Sequence, residues 1–156
     1  MRALKDKADD AVGALKVAQA EGIVPGGGVA LIRAQPAVRE VVDDLSGDAK
    51  VGAQVILDAL EAPLRRIARN SGVNPSVVVN RVRKLDGWYG WDALTDEYVD
   101  LYERGIIDPV AIQVASIQAA TSVGIMVLTT ETIVCENRPK AKGLTPTQEL
   151  YGEDAL

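Results

Sequence analysis

Few side chains in this sequence can do chemistry, and they cluster in three places. Asp9 and Asp10 stand side by side in a run of helical spacing. A carboxylate there can orient or activate a water, but on spacing alone Asp10 is one charge on a solvated acidic face with Asp6 and Asp9. Gly26, Gly27 and Gly28 follow Pro25 and precede the apolar run Val29 to Ile32. Without a Cβ, such a corner lets another group approach the backbone closely. Its N–H groups face the start of the next helix, where an anion or a sugar hydroxyl can dock. The same corner also serves as a helix cap followed by a tight helix–helix contact, and spacing does not separate the two uses. Asp108 stands before Pro109, the order expected of a helix N-cap.

What is missing narrows the chemistry further. The sequence has no histidine, so no Ser-His-Asp or Cys-His site can be built. Cys135 is the single cysteine, which rules out an intrachain disulfide and suits a small apolar filler in a reducing cytoplasm. Lys and Arg number 17 against 22 Asp and Glu, a net charge of −5, and no basic cluster interleaves with aromatics. Neither nucleic acid nor membrane is an expected partner. Trp88 and Trp91 offer stacking surfaces, yet aromatic residues on strands chiefly pack, and packing is the reading preferred here.

These residues need elements to hold them. Leu4, Ala8, Ala11, Leu15 and Ala18 recur at helical spacing, predicting a helix from about Arg2 to Glu21 that Gly22 stops. A second helix starts within Gly26–Gly28, and Pro36 is expected to interrupt or restart it. A third runs from about Asp48 to Asn70, with Val51, Val55, Leu57, Leu60, Leu64 and Ile67 as its buried face. Pro63 should kink or divide it. Ser46 is a good residue to cap its start. Asn74 and Pro75 open a short helix over Ser76–Lys84. Around Trp88–Trp91 and Tyr98–Tyr102 the period changes, predicting two short strands separated by Ala93–Glu97. Residues Pro109 to Thr130 carry no charge and are long enough to span a bilayer. Gln113, Ser116, Gln118 and several threonines interrupt them, so we expect a helix buried inside a soluble protein. Thr132 to Cys135 alternates weakly and suggests an edge strand.

Taken in order, these stretches resemble bacterial-type (group I) chaperonins, the large-subunit family. The residues that carry the resemblance are Asp9-Asp-Ala-Val, Glu21-Gly-Ile-Val-Pro-Gly-Gly-Gly-Val-Ala-Leu, Glu61-Ala-Pro-Leu-Arg and Asn74-Pro-Ser-Val-Val. Asp86-Gly-Trp-Tyr-Gly-Trp, Glu97-Tyr, Gly105-Ile-Ile-Asp-Pro and Thr129-Thr-Glu follow. The likeness runs from about Lys5 to about Pro139. It implies a mainly α fold: the C-terminal half of a helical equatorial domain with a small β hairpin and a C-terminal edge strand. Residues 1–25 would be an intermediate-domain-like helix and hinge, 26–137 the equatorial-like part and 138–156 a flexible tail.

The resemblance also implies roles. Asp10 matches the family's aspartate that swings toward the nucleotide phosphates and helps orient or activate the water for ATP hydrolysis. Gly26 and Gly27 match glycines that lie against the nucleotide, and Asp108 matches the aspartate that binds the ribose hydroxyls. Asp92, Ala93 and Leu94 match the Asn-Ala-Ala that contacts adenine. Asp92 departs from that pattern by removing two amide donors and adding a charge, and Leu94 by adding bulk. The family's phosphate loop, Gly-Asp-Gly-Thr-Thr, and its Mg²⁺-binding aspartate do not occur in this sequence, so no metal ligand is assigned.

The expected function is therefore the C-terminal part of an ATP-dependent chaperonin that assists protein folding. It would contribute part of the nucleotide pocket and subunit assembly, and it would be inactive as an ATPase alone. Its expected partners are further copies of itself or an N-terminal chaperonin half. Unfolded polypeptide and co-chaperonin would be met only through the intact family member. The competing reading is a stand-alone helical interaction module without ATPase activity.

Overall fold

The computed structural model describes residues 2–132 and residue 134, and divides the chain into two units, 1–124 and 125–156. Of the expected strand over Thr132–Cys135, Thr132 and Val134 are described and lie in no strand, whereas residues 133 and 135 and the tail from Arg138 lie outside the described residues. Six helices and four short strands are found among the described residues, in the order one helix, one strand, four helices, three strands and a last helix. The mainly helical fold class and the hairpin stand as the sequence led us to expect.

Helix α1 (Arg2–Glu21) ends where Gly22 turns left-handed at φ 88°, and the Gly22 N–H still donates to the Ala18 carbonyl at 2.9 Å. The chain then extends as β1 (Ile23–Pro25), which pairs antiparallel with β4 (Ile107–Pro109). This sheet was not foreseen, because three-residue strands carry too little alternation to register in a sequence. It also corrects the reading of Asp108 and Pro109 as the start of a helix. Both are strand residues opposite Val24 and Ile23, and the last helix, α6, begins at Val110.

Helix α2 (Val29–Asp44) runs unbroken through Pro36, against the expected interruption. The proline removes one N–H donor there. Val29, Leu31, Ile32, Gln35 and Val42 are buried on both sides of it and hold the helix together. The predicted third helix is two: α3 (Gly47–Ala59) and α4 (Ala62–Asn70), separated at Leu60–Glu61 with Pro63 in the first turn of α4. Ser46 takes the N-cap position of α3 but makes no side-chain cap bond. Only Leu57 of α3 is buried, whereas Val51 and Val55 are exposed, so the expected buried face begins late. Helix α5 (Pro75–Val82) opens as predicted, with the Asn74 side chain accepting the Ser76 N–H at 3.0 Å.

Strands β2 (Tyr89–Asp92) and β3 (Glu97–Asp100) form the predicted hairpin. Its turn places Asp96 at φ 56°, a conformation that aspartate tolerates, and the Asp96 carboxylate accepts the Trp91 indole N–H at 2.8 Å. Trp91 is buried and Trp88 meets Tyr102 edge to face, so both tryptophans pack.

The core joins α2, α4, α5 and the hairpin. Val29, Ile32, Leu64, Ala68, Val78, Val79, Val82, Trp91 and Leu101 form one cluster. Each large side chain in it contributes about 1.5–3 kcal/mol by leaving water. Helix α6 (Val110–Thr129) departs from its expected place: none of its residues is buried. Gln113, Ile117 and Thr121, four residues apart, make a half-covered stripe, and the remaining apolar surface is open. It is the one helix among the described residues long and apolar enough to cross a membrane. Helix α1 is similarly thin in contacts, with Val12 and Leu15 exposed.

The glycine corner fixes α2 against α4. Gly28 is left-handed at φ 79°, and a Cβ there would lie 2.8 Å from the Leu64 amide nitrogen. Gly27 is also left-handed but faces open space. Gly28→Ala should therefore lose more than about 2 kcal/mol of stability and Gly27→Ala only about 1 kcal/mol. Urea unfolding of both variants measures this, and equal losses would refute the close-contact role of Gly28.

Candidate functional site

The β1–β4 pairing brings the glycine corner to the segment that precedes α6. Val24 faces Asp108 and Pro25 faces Ile107, and the Gly26 N–H extends the ladder by donating to the Ile106 carbonyl at 2.9 Å. Gly26 is buried, and a Cβ on it would sit 3.0 Å from that carbonyl oxygen. Its missing side chain is thus used by the protein's own backbone. Gly27 is the glycine whose side-chain direction is open, so a ligand can approach the corner there. Gly26, Gly27 and Asp108, about eighty residues apart in sequence, are neighbours in the fold.

Asp108 is half-buried, and its Oδ2 accepts from the Gln113 amide at 2.8 Å. Burial pushes its pKa up, and the Gln113 bond opposes the shift. The side chain does not cap α6; its amide partner lies one turn inside that helix.

The second side of the site is the hairpin. Asp92 is buried at the end of β2, and its Oδ1 accepts the Leu94 N–H at 2.9 Å, closing a tight turn. Ala93 packs against the core, whereas Leu94 is 93% exposed and adds its bulk to the surface. This side reaches the glycine corner through α2. A Cβ on Gly90 would meet Val29 Cγ2 at 2.8 Å and Leu101 Cδ1 at 2.5 Å, so β2 lies tightly on the first turn of the helix. Asp92 follows Gly90 by two residues on the same strand.

Asp10 stands apart. It is exposed on α1, eleven residues before the helix end, or roughly 16 Å along the axis. Helix α1 contacts β4, and the Val110 N–H donates to the Gly22 carbonyl at 3.2 Å. Among the described residues no group of three or more Asp, Glu or Cys stands close enough to hold a metal ion. The described residues do not fit a Mg²⁺ site. A surface hollow along α2, lined by Gln35, Pro36, Arg39, Glu40 and Asp43, includes none of the candidate residues.

Polar contacts that sequence reasoning passed over tie α2 to α4, α5 and the hairpin. Arg33 donates to the carbonyls of Val82 and Tyr89, each at 2.9 Å, and of Gly87 at 3.4 Å. Burial lowers its pKa and Asp86 opposes that, but a guanidinium stays charged. Glu61 binds Arg65 at 2.7 Å and also Arg83, while the buried Gln35 donates to Glu61 and to the Leu57 carbonyl. Burial pushes the Glu61 carboxyl up, but the Arg65 and Gln35 bonds and both arginine charges together hold it below its ordinary value. The signal available in the sequence was a cation at Arg33, one turn after Val29 and directly after the apolar run Val29–Ile32.

The raised Asp108 pKa makes a pH prediction. A folded pKa above the unfolded one means that the native state holds the proton more tightly, so the ionised group opposes folding at neutral pH. The penalty fades as pH falls through the folded pKa. Asp108→Asn keeps an acceptor for Gln113 and should be more stable than wild type at pH 7, with the gain shrinking toward pH 4. Thermal unfolding across that range reads it, and a gain that grows in acid would contradict the sign.

Comparison with known proteins places this arrangement. The TCP-1/cpn60 chaperonin family matches residues 1–138. Among solved structures, the open-state monomer of a group II chaperonin from Methanococcoides burtonii superposes with a TM-score of 0.71 at 26% identity. The match covers 81% of this chain and 33% of that one, so the chain spans about a third of its relative's length. With the family matched over most of its residues and the fold shared, this chain belongs to the TCP-1/cpn60 chaperonin family.

Proposed function

We propose that this chain provides the second half of a chaperonin nucleotide-binding domain and takes part in ATP-driven protein folding. The observation that carries the reading is the register that sets Asp108 opposite Val24, two residues before the glycine corner. In it, Gly26 and Gly27 lie against the nucleotide, Asp108 binds the ribose, and Asp92, Ala93 and Leu94 form the adenine side. Bound ATP supplies the phosphoryl group, and Asp10 orients the attacking water once α1 closes. Phosphoryl transfer depends on such positioning more than on covalent help from the protein. Residues 1–25 act as the mobile intermediate-domain helix and hinge, and 26–137 as the equatorial part. The bacterial-type assignment rests on the wording of the motifs, Asp86-Gly-Trp-Tyr-Gly-Trp and Gly105-Ile-Ile-Asp-Pro above all; the solved relative is of group II. A cytoplasmic setting suits the lone Cys135.

Purified chain, alone and mixed with an N-terminal chaperonin half, tests the reading through ATP binding and hydrolysis. Alone it should hydrolyse ATP no faster than background, because no phosphate loop is present in its sequence. With the other half, Asp10→Ala should abolish turnover and leave nucleotide affinity nearly unchanged. Asp108→Ala should weaken affinity by about tenfold or more, the worth of a hydrogen bond to a charged group. Equal affinity losses in the two variants would contradict this division of roles.

The open surface of α6 supports assembly with further chaperonin chain, since soluble monomers rarely leave apolar patches beyond a few hundred Å² uncovered. We expect a dimer or larger assembly in light scattering across a concentration series, weakened by Ile125→Asp. A compact monomer at every concentration would refute that expectation.

A further inference from the structure

The nucleotide reading gives Arg33 no role, yet it makes the three longest-range side-chain hydrogen bonds among the described residues. Its guanidinium bonds three carbonyls that lie 49 to 56 residues away in sequence. The Val82 carbonyl belongs to the last turn of α5, where a cation also suits the helix dipole. Gly87 lies in the connection, and Tyr89 opens β2. One side chain therefore ties α2 to the end of α5 and to the root of the hairpin.

The position of Arg33 on α2 gives these bonds their meaning. Val29 and Arg33 are four residues apart and share a helix face. Tyr89 and Gly90 are consecutive in β2. The Tyr89 carbonyl meets Arg33, and Gly90 lies against Val29. Two adjacent strand residues are thus fixed by two turns of one helix, a polar contact beside an apolar one. Val29 directly follows the glycine corner, and Asp92 follows Gly90 by two residues. Slippage at Arg33 moves Asp92 relative to Gly26–Gly28.

We propose that Arg33 is a positioning residue: it clamps β2 onto α2 and so sets the span between the glycine corner and the Asp92–Leu94 side of the nucleotide pocket. The role rests on the nucleotide reading above. Arg33 itself touches no ligand. A planar guanidinium can address several carbonyls at once, whereas a lysine ammonium is a single compact charge on a flexible stem. The clamp is therefore specific to arginine. Its effect falls on binding of the base and not on binding of phosphates, because the clamped strand carries the adenine side alone.

Two measurements on the chain mixed with an N-terminal half test it. Hydrogen exchange of residues 87–100 should accelerate at least about tenfold in Arg33→Ala, while amides of α4 stay within about twofold of wild type. In competition against a fluorescent ATP analogue, Arg33→Ala should weaken ATP about tenfold and inorganic tripolyphosphate by less than about twofold. Arg33→Lys should fall between, and it carries the same comparison should the alanine variant not fold. Unchanged hairpin exchange overturns the clamp. Equal weakening of ATP and tripolyphosphate overturns its effect on the adenine side. Wild-type protein that binds no ATP refutes the nucleotide reading instead, and the hairpin exchange is then read independently of it.

Discussion

Two missing side chains set the geometry on which the rest of this fold depends. At Gly26 the backbone lies against the Ile106 carbonyl, and at Gly28 it lies against the Leu64 amide. The first contact extends the β1–β4 ladder, and the second brings the start of α2 onto the start of α4. A side chain at either position would push apart segments that are forty or eighty residues distant in sequence. Between them, Gly27 keeps its side-chain direction free. The corner is therefore packed by the protein on two sides and open on the third.

Around that corner the protein is unevenly secured. The α2–α4–α5 core and the hairpin share one buried cluster, tied further by Arg33 and by the Glu61 network. The ion pairs in that network involve half-exposed arginines, and such pairs are worth about 0–1 kcal/mol each. The apolar cluster carries the stability, and the polar bonds fix the register of the pieces. Helices α1 and α6 lie outside this arrangement and bury little. An element with few buried contacts is free to move or to meet another chain. Both uses suit a family of which one solved member is described in an open state and is three times as long as the matched portion.

The candidate residues divide in the same way. Gly26 and Asp108 are held by backbone pairing, and Asp92 by its bond to the Leu94 amide. Asp10 is on the thinly packed helix.

The sequence by itself determined the broad chaperonin family, though not its group, together with the helical class, the hairpin and the cap at Asn74. These depend on local chemistry: periodicity, a proline after a capping residue, and ordered motifs that survive without their surroundings. It also marked the glycine corner, though not which glycine served which purpose. Only the tertiary structure decided that Gly28 packs and Gly27 stays open, because the difference lies in what approaches from elsewhere in the chain. The same holds for Asp108, whose local sequence spells a helix start. Pairing with β1 converts it to a strand residue, since the hydrogen bonds gained there come from Val24 and its neighbours, far away in sequence. Arg33 was illegible for the same reason: its three acceptors are backbone carbonyls, which every residue has and no sequence distinguishes. Helix α6 shows the limit from the other side. Its uncharged sequence demands a cover, but apolar character is non-directional, so it says that something must lie against the helix and not what.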